Sequence, residues 1–304
     1  MKPVYGKELL KVKVQDNASR KIFNVFNILF MLFISVITLY PMLYVIFASF
    51  SRPSDFMMHQ GLLIKPLGFT TEIYRMVFRN PMILRGYLNT IFIVVVGVAI
   101  NIFFTSIGAY FLSRKNVMLK KIVMFLIVFS MYFSGGLIPF YFTVKELGLD
   151  NSLWALIIPG AIGTSNMIVM RTAFMAIPDS LSESAEIDGA SHFSILFRVV
   201  IPLSLPTMAV MVLYYGVGHW NSWFNALIFL RKREMFPLQL ILREILITNT
   251  TMDMSIGVDA GDQELVGDLI KYAVIVIATV PILCLYPFLQ KYFVKGIMIG
   301  ALKG

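Results

Sequence analysis

The sequence predicts an all-α polytopic membrane protein with six transmembrane helices, and two observations carry that reading. Of its 304 residues 58% are apolar and only 14% charged, with a mean hydropathy of +0.78, far outside the range of soluble domains. The apolar residues also gather into six runs, near 22–50, 87–112, 122–144, 153–170, 199–230 and 269–289. Each run reaches the roughly 20 residues that a helical crossing of a bilayer requires. The chain divides into a tail (1–21), a six-span body (22–289) and a second tail (290–304), with no room for a separate soluble domain. Within the body, a polar segment at 179–206 and a loop at 231–268 stand apart from the apolar runs.

The first run follows a basic leader, Lys11, Lys13, Arg20 and Lys21, as a signal peptide would. Its apolar part is too long for such a peptide and lacks a small-x-small cleavage site, so it reads as a retained helix. Assigning Lys and Arg to alternate loops places fifteen beside the two tails and the two loops on their side, and ten on the other. The short loops and tails that weigh most in the positive-inside rule lie on the first side. Both tails, with Ser191 and the whole 179–206 segment, are therefore expected in the cytoplasm, and Thr251 outside. The net charge of +9 is distributed over the ends of the runs rather than gathered in one patch, which speaks for topology and against nucleic acid. Cys284 is the only cysteine, so neither a disulfide nor a thiolate metal site is available.

Inside the runs, His219 is the one ionisable residue away from an end. A carrier driven by a proton gradient commonly places such groups in the membrane as a relay. His219 reads instead as a hydrogen-bonded neighbour. No G-x-x-x-x-G-K-[ST] loop occurs, and the one Gly-Lys pair, Gly6-Lys7, is followed by Glu8. The chain is expected to bind no cofactor and to perform no catalysis.

The 179–206 segment begins behind Pro178, where Ser180 and Glu183 have the spacing of a capping box. A short helix is predicted through Leu181, Ala185 and Ile187, ending at Gly189, which can take a left-handed conformation without steric penalty. Phe193, Leu196, Phe197 and Val200 then recur at i, i+3, i+4 and i+7, predicting an amphipathic helix that leads into the fifth run through Pro202 and Pro206. At the far end of that run stand Tyr214, Tyr215, Trp220, Asn221, Trp223 and Asn225. Aromatic rings collect at membrane interfaces because they are amphipathic, whereas amides facing lipid are costly and can instead bond sugar hydroxyls. Interface anchoring and substrate contact both fit these residues.

These motifs resemble the membrane permease subunits of binding-protein-dependent ABC importers, whose cytoplasmic signature reads E-A-A, three residues, G, nine residues, I-x-L-P. Here Glu183-Ser184-Ala185, Gly189 and Val199-Val200-Ile201-Pro202 keep that spacing, with conservative departures at Ser184, Val199 and Ile201; Asp188-Gly189-Ala190 matches the common D-G-A. "WNSWFNALIFL" (220–230) and the tail "QKYFVKGIMIGALKG" (290–304) resemble the carbohydrate-importing branch. The resemblance implies a type I ABC importer permease fold in a bacterial cytoplasmic membrane. It implies a second homologous permease, two cytoplasmic ATPase subunits that bind the ATP and Mg, and an extracytoplasmic sugar-binding protein that delivers oligosaccharides or polysaccharide fragments. It also implies ATPase coupling through Glu183, Ser184, Ala185, Asp188, Gly189, Ala190 and Pro202, while Tyr214, Trp220, Asn221, Trp223 and Asn225 are candidates for the substrate path. An ABC permease for amino acids or peptides, and a channel or ion-coupled carrier without an ATPase, are the alternatives.

Overall fold

The computed structural model describes residues 18–115, 117–248 and 263–301. Thr251, most of the first tail and Lys303 lie outside the described residues. The protein is 79% helical, without strands among the described residues. Three stretches cross as single helices: α1 (Ala18–Ser49), α4 (Pro81–Ser113) and the first half of α14 (Gln263–Ala301). Three further crossings are pairs of helices bent at a short break.

α4 is the central element, and its sequence explains why. Asn80 caps it by accepting from the Met82 amide at 2.8 Å, and Pro81 sits at the first position, where its missing N–H is harmless. Gly86, Thr90, Ile93, Gly97, Asn101 and Thr105 then recur every three or four residues and are all buried. Small and hydroxyl-bearing residues on one face let neighbouring backbones approach, which is how helices associate when lipid is as apolar as they are. α11 (Leu205–Trp220), α7 (Thr164–Met175) and α13 (Leu238–Thr248) pack on this helix. α1 by contrast is exposed over its first half and meets α14 only late, where Tyr44 packs edge-on against Tyr272 at 5.9 Å.

The bent crossings revise the sequence reading. The third run breaks at Phe133–Gly136, between α5 (Lys120–Tyr132) and α6 (Leu137–Glu146), with a bend of 117°. Gly136 takes φ +84 at the break, and Pro139 lies in the first turn beyond it. α6 folds back against α12 (Phe224–Phe229), where Tyr141 stacks on Phe229 at 5.8 Å. The fourth run is bent by 47° before α7. The fifth crossing starts at Leu205 rather than 199, because residues 192–203 turn 90° away from it at Ser204, between Pro202 and Pro206. It ends at Trp220, and α12 is a separate short helix.

In the loop expected at 231–268 the described residues are largely helical. α13 buries Leu238, Leu240, Ile241, Leu242 and Ile245, packing against α4 and α14. α2 (Pro53–Met58) and α3 (Glu72–Arg79) likewise fold between the first two crossings, with Ile73 and Val77 fully buried. α14 runs on past 289 through Pro281 and Pro287 to Ala301, so most of the expected second tail continues the sixth helix.

Candidate coupling and substrate sites

At one end of the bundle, α8 (Asp179–Ile187) and the rod His192–Leu203 form a helix, turn, helix knob. The predicted capping box is not made. Pro178 is the N-cap and no side chain caps the helix; Ser180 lies inside the first turn, where its carbonyl accepts from Ser184 Oγ at 2.8 Å. Asp179 supplies first-turn negative charge instead, which the helix dipole favours. The stop is as expected. Gly189 takes φ +80, Ala190 N–H donates to Ala185 C=O at 2.9 Å, and Gly189 N–H donates to Glu186 C=O at 3.0 Å. These two bonds form a Schellman closure, which satisfies carbonyls that the helix end leaves open.

The second helix departs from the predicted stripe. α9 (His192–Ile195) opens with Ser191 Oγ accepting from the Ser194 amide, then passes through a π turn (Leu196–Val200) into α10 (Ile201–Leu203). The Ile201 amide bonds to Leu196 C=O, five residues back, and that slips the side chains by one position. Ile195, Leu196 and Val200 face the core with Met170 and Phe174, while Phe193 is 62% exposed.

Cations at the end of α4 fasten α8. Arg114 donates to Ser182 Oγ at 2.8 Å, Lys115 pairs with Asp179 at 2.5 Å, and Tyr110 Oη meets His192 Nδ1 at 3.4 Å. The hydrogen bond to Lys115 holds the Asp179 carboxyl below its ordinary value, and the same bond raises Lys115. Arg171 ties α7 to the same corner by donating to Leu112 C=O at 3.0 Å. A cavity of about 550 Å³ opens there, lined by Arg114, Lys115, Glu183, Glu186 and His192 among others. Glu183, Ser184, Glu186, Asp188 and Gly189 are exposed, Ala185 and Ala190 pack partly on the core, and Pro202 is exposed on the rod. The apolar tip of the knob, Ile187, is 87% exposed.

Halfway along the crossings lies a polar network of which the sequence reading expected only one member, His219 as a hydrogen-bonded neighbour. His219 Nε2 bonds Asn101 Oδ1 at 2.7 Å, and Asn101 Nδ2 donates to Gly160 C=O at 2.6 Å. Tyr215 Oη bonds Thr105 Oγ1 at 2.7 Å and accepts from the Gly163 amide at 3.0 Å. α4, the broken fourth crossing and α11 are thus joined twice, and Gly97 leaves room for the imidazole: a Cβ there would lie 2.6 Å from His219 Nε2. The clue was available in the sequence, since Gly97, Asn101 and Thr105 fall four residues apart in an apolar run.

At the opposite end, Trp220 is buried, packs edge-on against Tyr87 at 6.2 Å and donates its indole N–H to Ala278 C=O at 3.2 Å. Tyr87 in turn bonds Ile277 C=O. Tyr214 and Asn221 are exposed, and Asn225 is half-buried. Trp223 lies under the Arg243 guanidinium, 4.7 Å from the ring centre. Trp220, Asn221, Trp223 and Asn225 therefore share an end of the bundle but not an environment, and Tyr214 lies further back along α11, next to Tyr215.

No family model matches the chain. It is 40% identical over 287 residues to the polygalacturonan/rhamnogalacturonan transport system permease protein YtcP of Bacillus subtilis (strain 168), covering 93% of this chain and 99% of that one. It is 42% identical over 291 residues to Protein LplC of the same organism, covering 93% and 96%. A crystal structure of a bacterial ABC transporter involved in the import of the acidic polysaccharide alginate contains a chain 29% identical to this one, with a TM-score of 0.83 over 96% of this chain and 100% of that one.

Proposed function

The chain belongs to the permease subunits of carbohydrate ABC transport systems, and from that premise we propose that it forms one side of a transmembrane path for oligosaccharides or polysaccharide fragments, moved at the expense of ATP hydrolysed by a partner. The observation that carries the coupling is the knob. It presents an exposed apolar tip, Ile187 and Phe193, ringed by Glu183, Glu186 and Asp188, on a helix whose other face is fixed to the bundle. An apolar tip with a charged rim is what a docking element offers to a groove.

In this reading α8 and the 192–203 rod lie in the cytoplasm against an ATPase, which holds the ATP and magnesium. Closure of two ATPase subunits displaces α8. Arg114, Lys115 and the core around Phe174 pass the movement to α4 and α7, and Ser204 passes it to α11. The Tyr215 and Asn101 networks keep the three crossings together while they tilt against a second, homologous permease. At the outer end Asn221, Trp223 and Asn225 face the sugar delivered by an extracytoplasmic binding protein, with Tyr214 further along the path on α11, while Trp220 braces them from within. Surrounding lipid takes the exposed half of α1.

Co-purification and uptake test this reading. The complex reconstituted with its ATPase should accumulate oligosaccharide only with hydrolysable ATP, and a protonophore at constant ATP should leave uptake unchanged. Uptake that persists without the ATPase and collapses with the protonophore would instead establish an ion-coupled carrier.

A further inference from the structure

Besides the exposed Arg75 and Arg79, five arginines stand at the end of the bundle opposite the knob, and four of them pair within the chain. Arg231 pairs with Asp150 at 3.3 Å, Arg233 with Glu244 at 3.0 Å, Arg85 with Glu234 at 3.7 Å and Arg52 with Asp55 at 3.9 Å. Arg243 differs. It is half-buried on α13 with its guanidinium 4.7 Å over the Trp223 ring, and among the described residues no carboxylate, carbonyl or hydroxyl accepts from it. The other half-buried cations all have an oxygen partner: Arg114 has Ser182, Lys120 the Arg114 carbonyl, Arg171 the Leu112 carbonyl and Lys271 Asp268.

A guanidinium lying on an indole is held in orientation and stripped of water on one face, and its fork of N–H donors matches a carboxylate in bidentate geometry. Trp223 belongs to the same turn as the exposed Asn221 and the half-buried Asn225, whose amides suit sugar hydroxyls. A path for neutral sugar needs hydroxyl partners and has no use for a cation fixed on a ring with no carboxylate partner among the described residues. We infer that Arg243, positioned by Trp223, is a specificity residue that selects oligosaccharides bearing carboxylates, that is, uronate-containing chains. This rests on the carbohydrate reading above and names the charge class of the cargo.

The test uses the whole transporter in proteoliposomes, with its ATPase, sister permease and binding protein. Uptake of an α-1,4-linked galacturonate trisaccharide is compared with uptake of the same trisaccharide after reduction of its carboxyls to alcohols. Arg243→Gln should lower the ratio of acidic to neutral uptake about tenfold, the scale of one charge-assisted hydrogen-bonded contact, and Arg243→Lys should restore part of it. Where the wild type takes only the acidic sugar, its KM should rise by a similar factor in Arg243→Gln, with assembly intact, and recover partly in Arg243→Lys. An unchanged ratio or KM overturns the assignment, as does a wild type that takes only the neutral sugar. An equal fall for both sugars also overturns it, placing Arg243 in contact with the delivering protein. Failure of the wild type to take up either sugar contradicts the carbohydrate reading itself.

Discussion

Gly189 shows how much one residue can decide. Its φ of +80 is required for the Schellman closure, and a Cβ there would meet nothing within 4 Å. Within the chain, therefore, the constraint on Gly189 is its backbone conformation. Gly189→Val should destabilise the α8 turn by roughly 1–2 kcal/mol, and Gly189→Asn by less, because asparagine visits the left-handed region readily. Binder-stimulated ATP hydrolysis should fall in that order, and equal hydrolysis in both variants would remove the turn from the coupling path. Tyr215 is the matching case inside the membrane. Tyr215→Phe leaves the Gly163 amide and Thr105 hydroxyl facing an apolar ring, a loss of about 1–3 kcal/mol that should lower the midpoint of thermal unfolding of the purified complex. An unchanged midpoint would show that the two groups find other partners. Gly189 was legible because a turn residue announces itself by type, whereas Tyr215 looked like one more interfacial aromatic.

Among elements, the sequence located all six crossings but not their breaks. Periodicity and length identify an apolar helix, yet they are silent on where Gly135-Gly136 or the pair Pro202 and Pro206 bends it, and α13 read as loop because its polar residues interrupt a short apolar stretch. The π turn is a similar case: the i, i+3, i+4, i+7 stripe assumes uniform winding, and the Ile201-to-Leu196 bond breaks that assumption. What fastens α8 to α4 was not foreseen either, since Lys115 and Asp179 are 64 residues apart and nothing in their spacing pairs them. Asp179 is held below its ordinary value, so the pair's contribution is lost as pH falls through that depressed value. Lys115 is raised, so it is lost again only as pH climbs through the raised lysine value. Both groups are exposed to solvent, and the effect is correspondingly small. Between the carboxylate and lysine ranges, Lys115→Gln should speed hydrogen exchange of the α8 amides by the same modest factor at every pH. Acidification below the carboxylate range should bring wild type and variant together, and a difference that persists there would show that the pair is not what holds α8.

For the molecule as a whole, membership of the permease family and the layout of six crossings explain each other. In the proposed reading a partner ATPase moves this permease, and the residues that receive that movement are gathered at one end, fixed by Arg114, Lys115 and the Phe174 core. The substrate end was the less legible half. Tryptophan and asparagine announce a sugar path and an interface belt equally well, and only the packing separates Trp220, tied to Ala278, from Trp223, tied to Arg243. The central claim is that the knob is the point of contact with the ATPase. A photo-crosslinking amino acid in place of Ile187, the most exposed apolar residue of the knob, measures it directly in the assembled transporter, with Tyr132, 79% exposed at the far end of α5, as the control position. The account predicts a covalent product with the ATPase from position 187 and none from 132. An intact, active complex in which position 187 links only to lipid or to the sister permease contradicts it.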